Sequence, residues 1–180
     1  TMSCMFQDTN FYDLKNFDAD ISNWNTSSVT SMYQMFYSAL AFNQPLSFDT
    51  SSVTAMVNMF TATAFNQPLS FDTSSVTTVS QMFRKAKAFN QPLSFDTSKV
   101  TAMNFMFSER SAFNQPLSFD TSSVSTMSCM FQDTKAFNQP LSFDTSSVIT
   151  MYSMFRDAKA FNQPLSFDTS KVKSMKTMFR

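Results

Sequence analysis

FNQPLSFDTSKVTAMNFMFSERSA occupies residues 89–112, and the way this stretch folds decides the fold of the chain. Leu93-Ser94-Phe95 alternates apolar, polar, apolar, the period of a half-buried strand. Pro92 suits the first strand position, where no ladder donor is required. Asp96, Thr97 and Ser98 follow, all good helix N-cap residues. Val100, Met103, Met106 and Phe107 then fall at i, i+3, i+6 and i+7, while Thr101, Ala102 and Asn104 lie off that stripe. The spacing predicts a short amphipathic helix of about eight to ten residues.

The same unit runs along the chain. Its core, AFNQPLSFDTS, appears without substitution at 41–51, 64–74, 88–98, 112–122, 136–146 and 160–170. Marked by the Phe of FNQ, the near-identical coils are 42–64, 65–88, 89–112, 113–136 and 137–160, with an incomplete last coil at 161–180. A divergent coil spans 17–41, preceded over 1–16 by a partial coil with a loop insertion around NFYDL. Coil 42–64 is one residue short between Phe60 and Phe65, so that segment reads as a loop that tolerates deletion.

Repeats of this kind imply a single solenoid of α/β class, 1–180, in which each coil contacts only its neighbours. Each coil of 23–25 residues contributes one short parallel strand and one short helix. Strands pair at ~4.8 Å and α-helices stack at ~8–10 Å, which bends the stack into an arc; single 3₁₀ turns would leave it straighter. TMSCMFQDT opens the chain and recurs at 126–134, so the sequence reads as a window of a longer array.

Composition narrows the chemistry. Thirteen basic and thirteen acidic residues balance, which argues against a nucleic-acid partner. Histidine is absent, which removes a Ser-His-Asp triad and the usual metal-binding imidazole. Glycine is absent too, so there is no phosphate loop and the turns fall to Asn, Asp, Ser or Pro. Phe (23) and Met (15) supply a core without any apolar run of membrane-spanning length. Cys4 and Cys129 share one phase of the repeat five coils apart. That is far beyond the ~4.4–6.8 Å a disulfide needs. The expectation is a non-enzyme with no cofactor.

In a stack, each residue type forms a ladder. The phenylalanines Phe48, Phe71, Phe95, Phe119, Phe143 and Phe167 are read as stacking on their own copies. Asn43, Asn66, Asn90, Asn114, Asn138 and Asn162 are read as satisfying the backbone of adjacent coils, with a Gln row (Gln44 to Gln163) beside them. Asp49, Asp72, Asp96, Asp120, Asp144 and Asp168 place like charges one coil apart. Helix N-capping offsets that repulsion; calcium shared between neighbouring carboxylates is the functional alternative. Arg84, Lys85, Lys87, Arg110, Lys135, Arg156 and Lys159 gather at the other end of the expected helix, where its dipole favours cations. Thr50, Thr73, Thr97, Thr121, Thr145 and Thr169 form a row that could bind ice if it lay exposed and flat. Phe11 and Tyr12 in the insertion, with Tyr33, Tyr37 and Leu40, break the repeat and are the candidate partner contacts.

At ISNWNTSSVTSMYQMF, 21–36, the chain resembles the DUF285, or BspA-like, leucine-rich-repeat surface-protein family. The SxVxxMxxMF core carries the resemblance, which extends over essentially the whole chain. It implies a leucine-rich-repeat-like solenoid displayed outside the cell, with a role in adhesion or surface interaction. Trp24 occurs only in the divergent coil; the other coils carry Phe in a segment one residue shorter. The reading is an extracellular structural or adhesive repeat, open to self-association into filaments. A displayed binding module for a host protein, glycan or matrix is the alternative. A calcium-dependent or ice-binding surface is the third.

Overall fold

The computed structural model describes residues 14–109 and 111–180. The expected α/β coil is not what forms. Among the described residues the sole helix is a 3₁₀ turn at Leu14–Asn16, and parallel pairing is confined to isolated bridges with no sheet. The stretch read as a helix is a ribbon of linked β-turns. Met106 and Ser108 donate their N–H groups three residues back, to Met103 and Phe105, at 3.4 and 3.2 Å. The intervening N–H groups leave the coil altogether. Met103, Phe105, Phe107 and Glu109 donate to the carbonyls of Thr126, Ser128, Met130 and Gln132 in the next coil, at 3.1, 3.0, 3.0 and 2.8 Å.

The apolar stripe misled because it reports burial, not hydrogen bonding. Val100, Met103, Met106 and Phe107 are all fully buried, as a helical face would be. An eight-residue helix is marginal by itself, since nucleation fixes several residues for one bond. The neighbouring coil gives every second N–H a carbonyl instead. The ribbon requires left-handed backbone at two positions per coil, such as Phe105 (φ 56°) and Glu109 (φ 61°), or Asn58 (57°) and Ala62 (57°). With no glycine in the chain, Ser38, Asn58, Asp133, Ser153 and Asp157 take such positions as expected, while Gln, Lys, Phe, Glu, Cys, Ala and Thr fill the others. Each costs about 1–2 kcal/mol of local strain, offset by the bonds to the next coil.

No strand forms at Leu93-Ser94-Phe95 either. Leu93 and Phe95 are buried and Ser94 is exposed, so the alternation is real. Pairing lies elsewhere, in the column Ser31–Ala55–Thr78–Ala102–Thr126–Thr150–Ser174. At Ala102 the chain switches partners: Thr101 N–H donates back to Thr77 at 2.9 Å, and Met103 N–H donates forward to Thr126. Each FNQP copy places a residue without an N–H directly before Leu-Ser-Phe, so a backbone ladder there could not extend toward Asn-Gln.

Two parallel columns of phenylalanine fill the core. Phe36, Phe60, Phe83, Phe107, Phe131, Phe155 and Phe179 stack with ring centroids 5.5–5.8 Å apart. Phe17, Phe42, Phe65, Phe89, Phe113, Phe137 and Phe161 stack at 5.7–6.2 Å. Between columns the rings meet at 4.0–4.3 Å. Methionines such as Met56, Met59, Met103 and Met106 fill the space beside them. No helix among the described residues is long and apolar enough to cross a membrane.

Candidate functional site

The FNQPLSFDTS face is joined from coil to coil by side chains rather than by a backbone ladder. Asn66, Asn90, Asn114, Asn138 and Asn162 each donate their backbone N–H to the Oδ1 of the preceding Asn, at 2.8–2.9 Å. Asp18 supplies that oxygen to Asn43 at 2.8 Å. The adjacent Gln row reaches the backbone carbonyls of the same asparagines: Gln91 Nε2 donates to Asn66 O at 3.0 Å, and Gln115 Nε2 to Asn90 O at 3.0 Å. On the other flank the Thr row lies inside the coil. Thr50, Thr73, Thr97, Thr121 and Thr145 are buried, each hydroxyl donating to the Asp carbonyl of the following coil at 2.9–3.0 Å. Those five therefore present no array of hydroxyls to water, while Thr169 is exposed. Every copy gives its neighbour what it takes from the other side, a side-chain group in one direction and a backbone group in the other.

The Asp row is exposed along its whole length. Each carboxylate folds onto the residue two further on. Asp96 Oδ1 accepts from the Ser98 hydroxyl at 2.7 Å and the Ser98 N–H at 3.0 Å. Since no helix follows, these are caps of the turn closed by Val100 N–H on Thr97 O, 2.9 Å, not helix N-caps. The Ser98 hydroxyl and N–H hold Asp96 below the ordinary carboxylate value of 3.8. The neighbouring Asp72 pushes Asp49 upward, but less than Ser51 pulls it down. The row is thus stabilised as anions one by one. No group of three or more Asp, Glu or Cys side chains gathers at metal-binding spacing among the described residues.

At the opposite edge Arg84, Lys85, Lys135 and Arg156 meet carboxylates rather than a helix dipole. Arg84 pairs with Glu109 of the next coil, its Nε donating at 2.6 Å, and its guanidinium lies 5.6 Å from the Phe105 ring centroid. Lys85 shares Glu109 at 3.1 Å, Lys135 meets Asp133 at 2.7 Å, and Arg156 meets Asp157 at 3.2 Å. Much of this edge is therefore neutralised from within. A notch of about 390 Å³ opens there, lined by Leu40, Ala62, Thr63, Ala64, Lys85, Lys87 and Ala88. It is centred on the one short coil. Tyr33, Tyr37 and Leu40 are exposed on coil 17–41. Phe11, Tyr12, Cys4 and Arg110 lie outside the described residues.

The structure places Phe48, Phe71, Phe95, Phe119 and Phe143 in the core and Phe167 half-buried. Phe48 stacks with Phe36 at 6.4 Å, beside the two columns that carry the ring ladder. The sequence does signal those columns: Phe107 and Phe113 recur in phase with the same regularity as Phe95. It signals the notch as well, through the shortened 60–65 segment, which reads as tolerance until the neighbouring loops are seen beside it.

No curated protein and no solved structure matches the chain. The sequence does match the family described as "Mycoplasma protein of unknown function, DUF285" over residues 1–94, 69–142 and 93–180. Those stretches together span the chain and overlap as repeats do, and the chain belongs to the DUF285 family.

Proposed function

We propose that this chain is an extracellular structural or adhesive scaffold of BspA-like surface-protein kinship, able to assemble into filaments. The observation that carries the reading is the reciprocity of the coil faces. Asn90 accepts from Asn114 while donating to Asn66, and Thr97 donates to Asp120 as Thr73 does to Asp96. Such a stack lengthens by adding the same unit. A regular rod held at every rung suits load or display, and the exposed Asp row keeps its surface charged and hydrated. Negative-stain electron microscopy of the protein isolated from its source tests this. Continuous fibres with an axial repeat are expected; separate short rods or arcs would overturn the filament reading.

A binding module for a host protein, glycan or matrix is the second reading. It draws on Tyr33, Tyr37 and Leu40, three exposed large side chains on the divergent coil. Replacing the two tyrosines with serine should abolish adherence to the partner surface while leaving the melting temperature unchanged.

A further inference from the structure

The one irregular connection in the near-identical coils coincides with the notch. Phe60 and Phe65 are five positions apart, where Phe83 and Phe89 are six, yet their rings meet at 4.3 Å against 4.0 Å. The core is conserved in geometry and the connection absorbs the loss. The deletion removes the position that Leu40 and Lys87 occupy in the neighbouring coils, and both of those side chains stand exposed. The short loop becomes a floor between two taller walls.

The chemistry of the notch is lopsided. Ala62 and Ala64 are small and apolar, and Leu40 on one wall is 49% exposed. Thr63 offers no free hydroxyl donor, since its Oγ1 donates to Phe60 O at 3.1 Å. On the other wall Lys85 already shares Glu109 with Arg84. Lys87 has no ion pair among the described residues. An apolar trough beside a free ammonium fits a bulky apolar side chain with a carboxylate next to it. The trough is open along one side. A free small molecule needs about 70–90% of its surface covered to bind well, and an open trough covers much less. A segment anchored by the rest of a protein does not carry that requirement.

We propose that the notch over the short coil is a docking site for an acidic segment of a partner protein bearing one bulky apolar side chain. It gives the binding-module reading a location, rests on that reading, and is independent of filament formation. The test is an amide chemical-shift titration of the full chain with acetyl-Glu-Phe-Glu-amide, with acetyl-Lys-Phe-Lys-amide and decanoate as comparators. Saturable shifts at Leu40, Ala62 and Thr63 are expected with the acidic peptide. Lys87→Glu should weaken binding roughly tenfold, and raising salt from about 0.05 to about 0.5 M should weaken it further. Leu40→Ser, a surface change that leaves the core intact, should also weaken it. Equal binding of the lysine peptide, shifts centred elsewhere, or no saturable shift would overturn the proposal. Tighter binding of decanoate would overturn it too, reassigning the notch to a small amphiphile. Failure here with Tyr33 and Tyr37 still required for adherence would dismiss the notch and keep the binding-module reading.

Discussion

Asn90 shows how much one side chain holds. Its Oδ1 accepts the Asn114 N–H at 2.9 Å and its carbonyl accepts Gln115 Nε2 at 3.0 Å. Asn90→Ala should cost about 0.5–1.5 kcal/mol in urea unfolding. Asn90→Asp should cost much less, because Asp18 already plays that acceptor part for Asn43. Ala62 offers the opposite experiment. At φ 57° its Cβ is strained, so Ala62→Gly should stabilise by about 0.5–1 kcal/mol despite the greater entropy of an unfolded glycine. A raised denaturation midpoint is the reading; a lowered one refutes the left-handed assignment. The Asp row sets a pH dependence. The serine bonds depress the folded carboxylates below 3.8, so their stabilisation is complete above that value and is lost as pH falls through the depressed range. Melting temperature should therefore drop below about pH 4, and less steeply in Asp96→Asn.

At the scale of the coil, the sequence disclosed burial better than bonding. The in-out alternation at Leu93-Ser94-Phe95 and the inward Val100, Met103, Met106 and Phe107 were legible, because apolar spacing records which side chains face the core. Strand and helix were not, because spacing does not say where an N–H finds its carbonyl. In this coil most partners sit 23 or 24 residues away, in a copy of the same sequence, where a helix would have placed them four residues back. The proline that reads as a strand start instead keeps backbone pairing out of its neighbourhood. Phe107 tests the packing that results. Its ring stacks with Phe83, Phe113 and Phe131, so Phe107→Ala should cost about 3–5 kcal/mol in chemical denaturation. A loss under about 1 kcal/mol would mean the two columns do not carry the core.

For the molecule as a whole, the repeat was plain in the sequence and the notch was half-plain. Verbatim copies reveal a stack; a missing residue reveals a shorter loop, but not that Leu40 and Lys87 rise on either side of it. The candidate site depends on heights of neighbouring loops, which only the stacked structure supplies. The central claim is that these coils bond to one another through turns and side-chain rungs, with almost no regular secondary structure of their own. Far-ultraviolet circular dichroism tests it most directly. The spectrum should lack the helical double minimum and be lost in one cooperative step on heating. A helix of about eight to ten residues in every coil would make roughly a third or more of the chain helical. A strong helical spectrum of that size would contradict the account and restore the α/β coil.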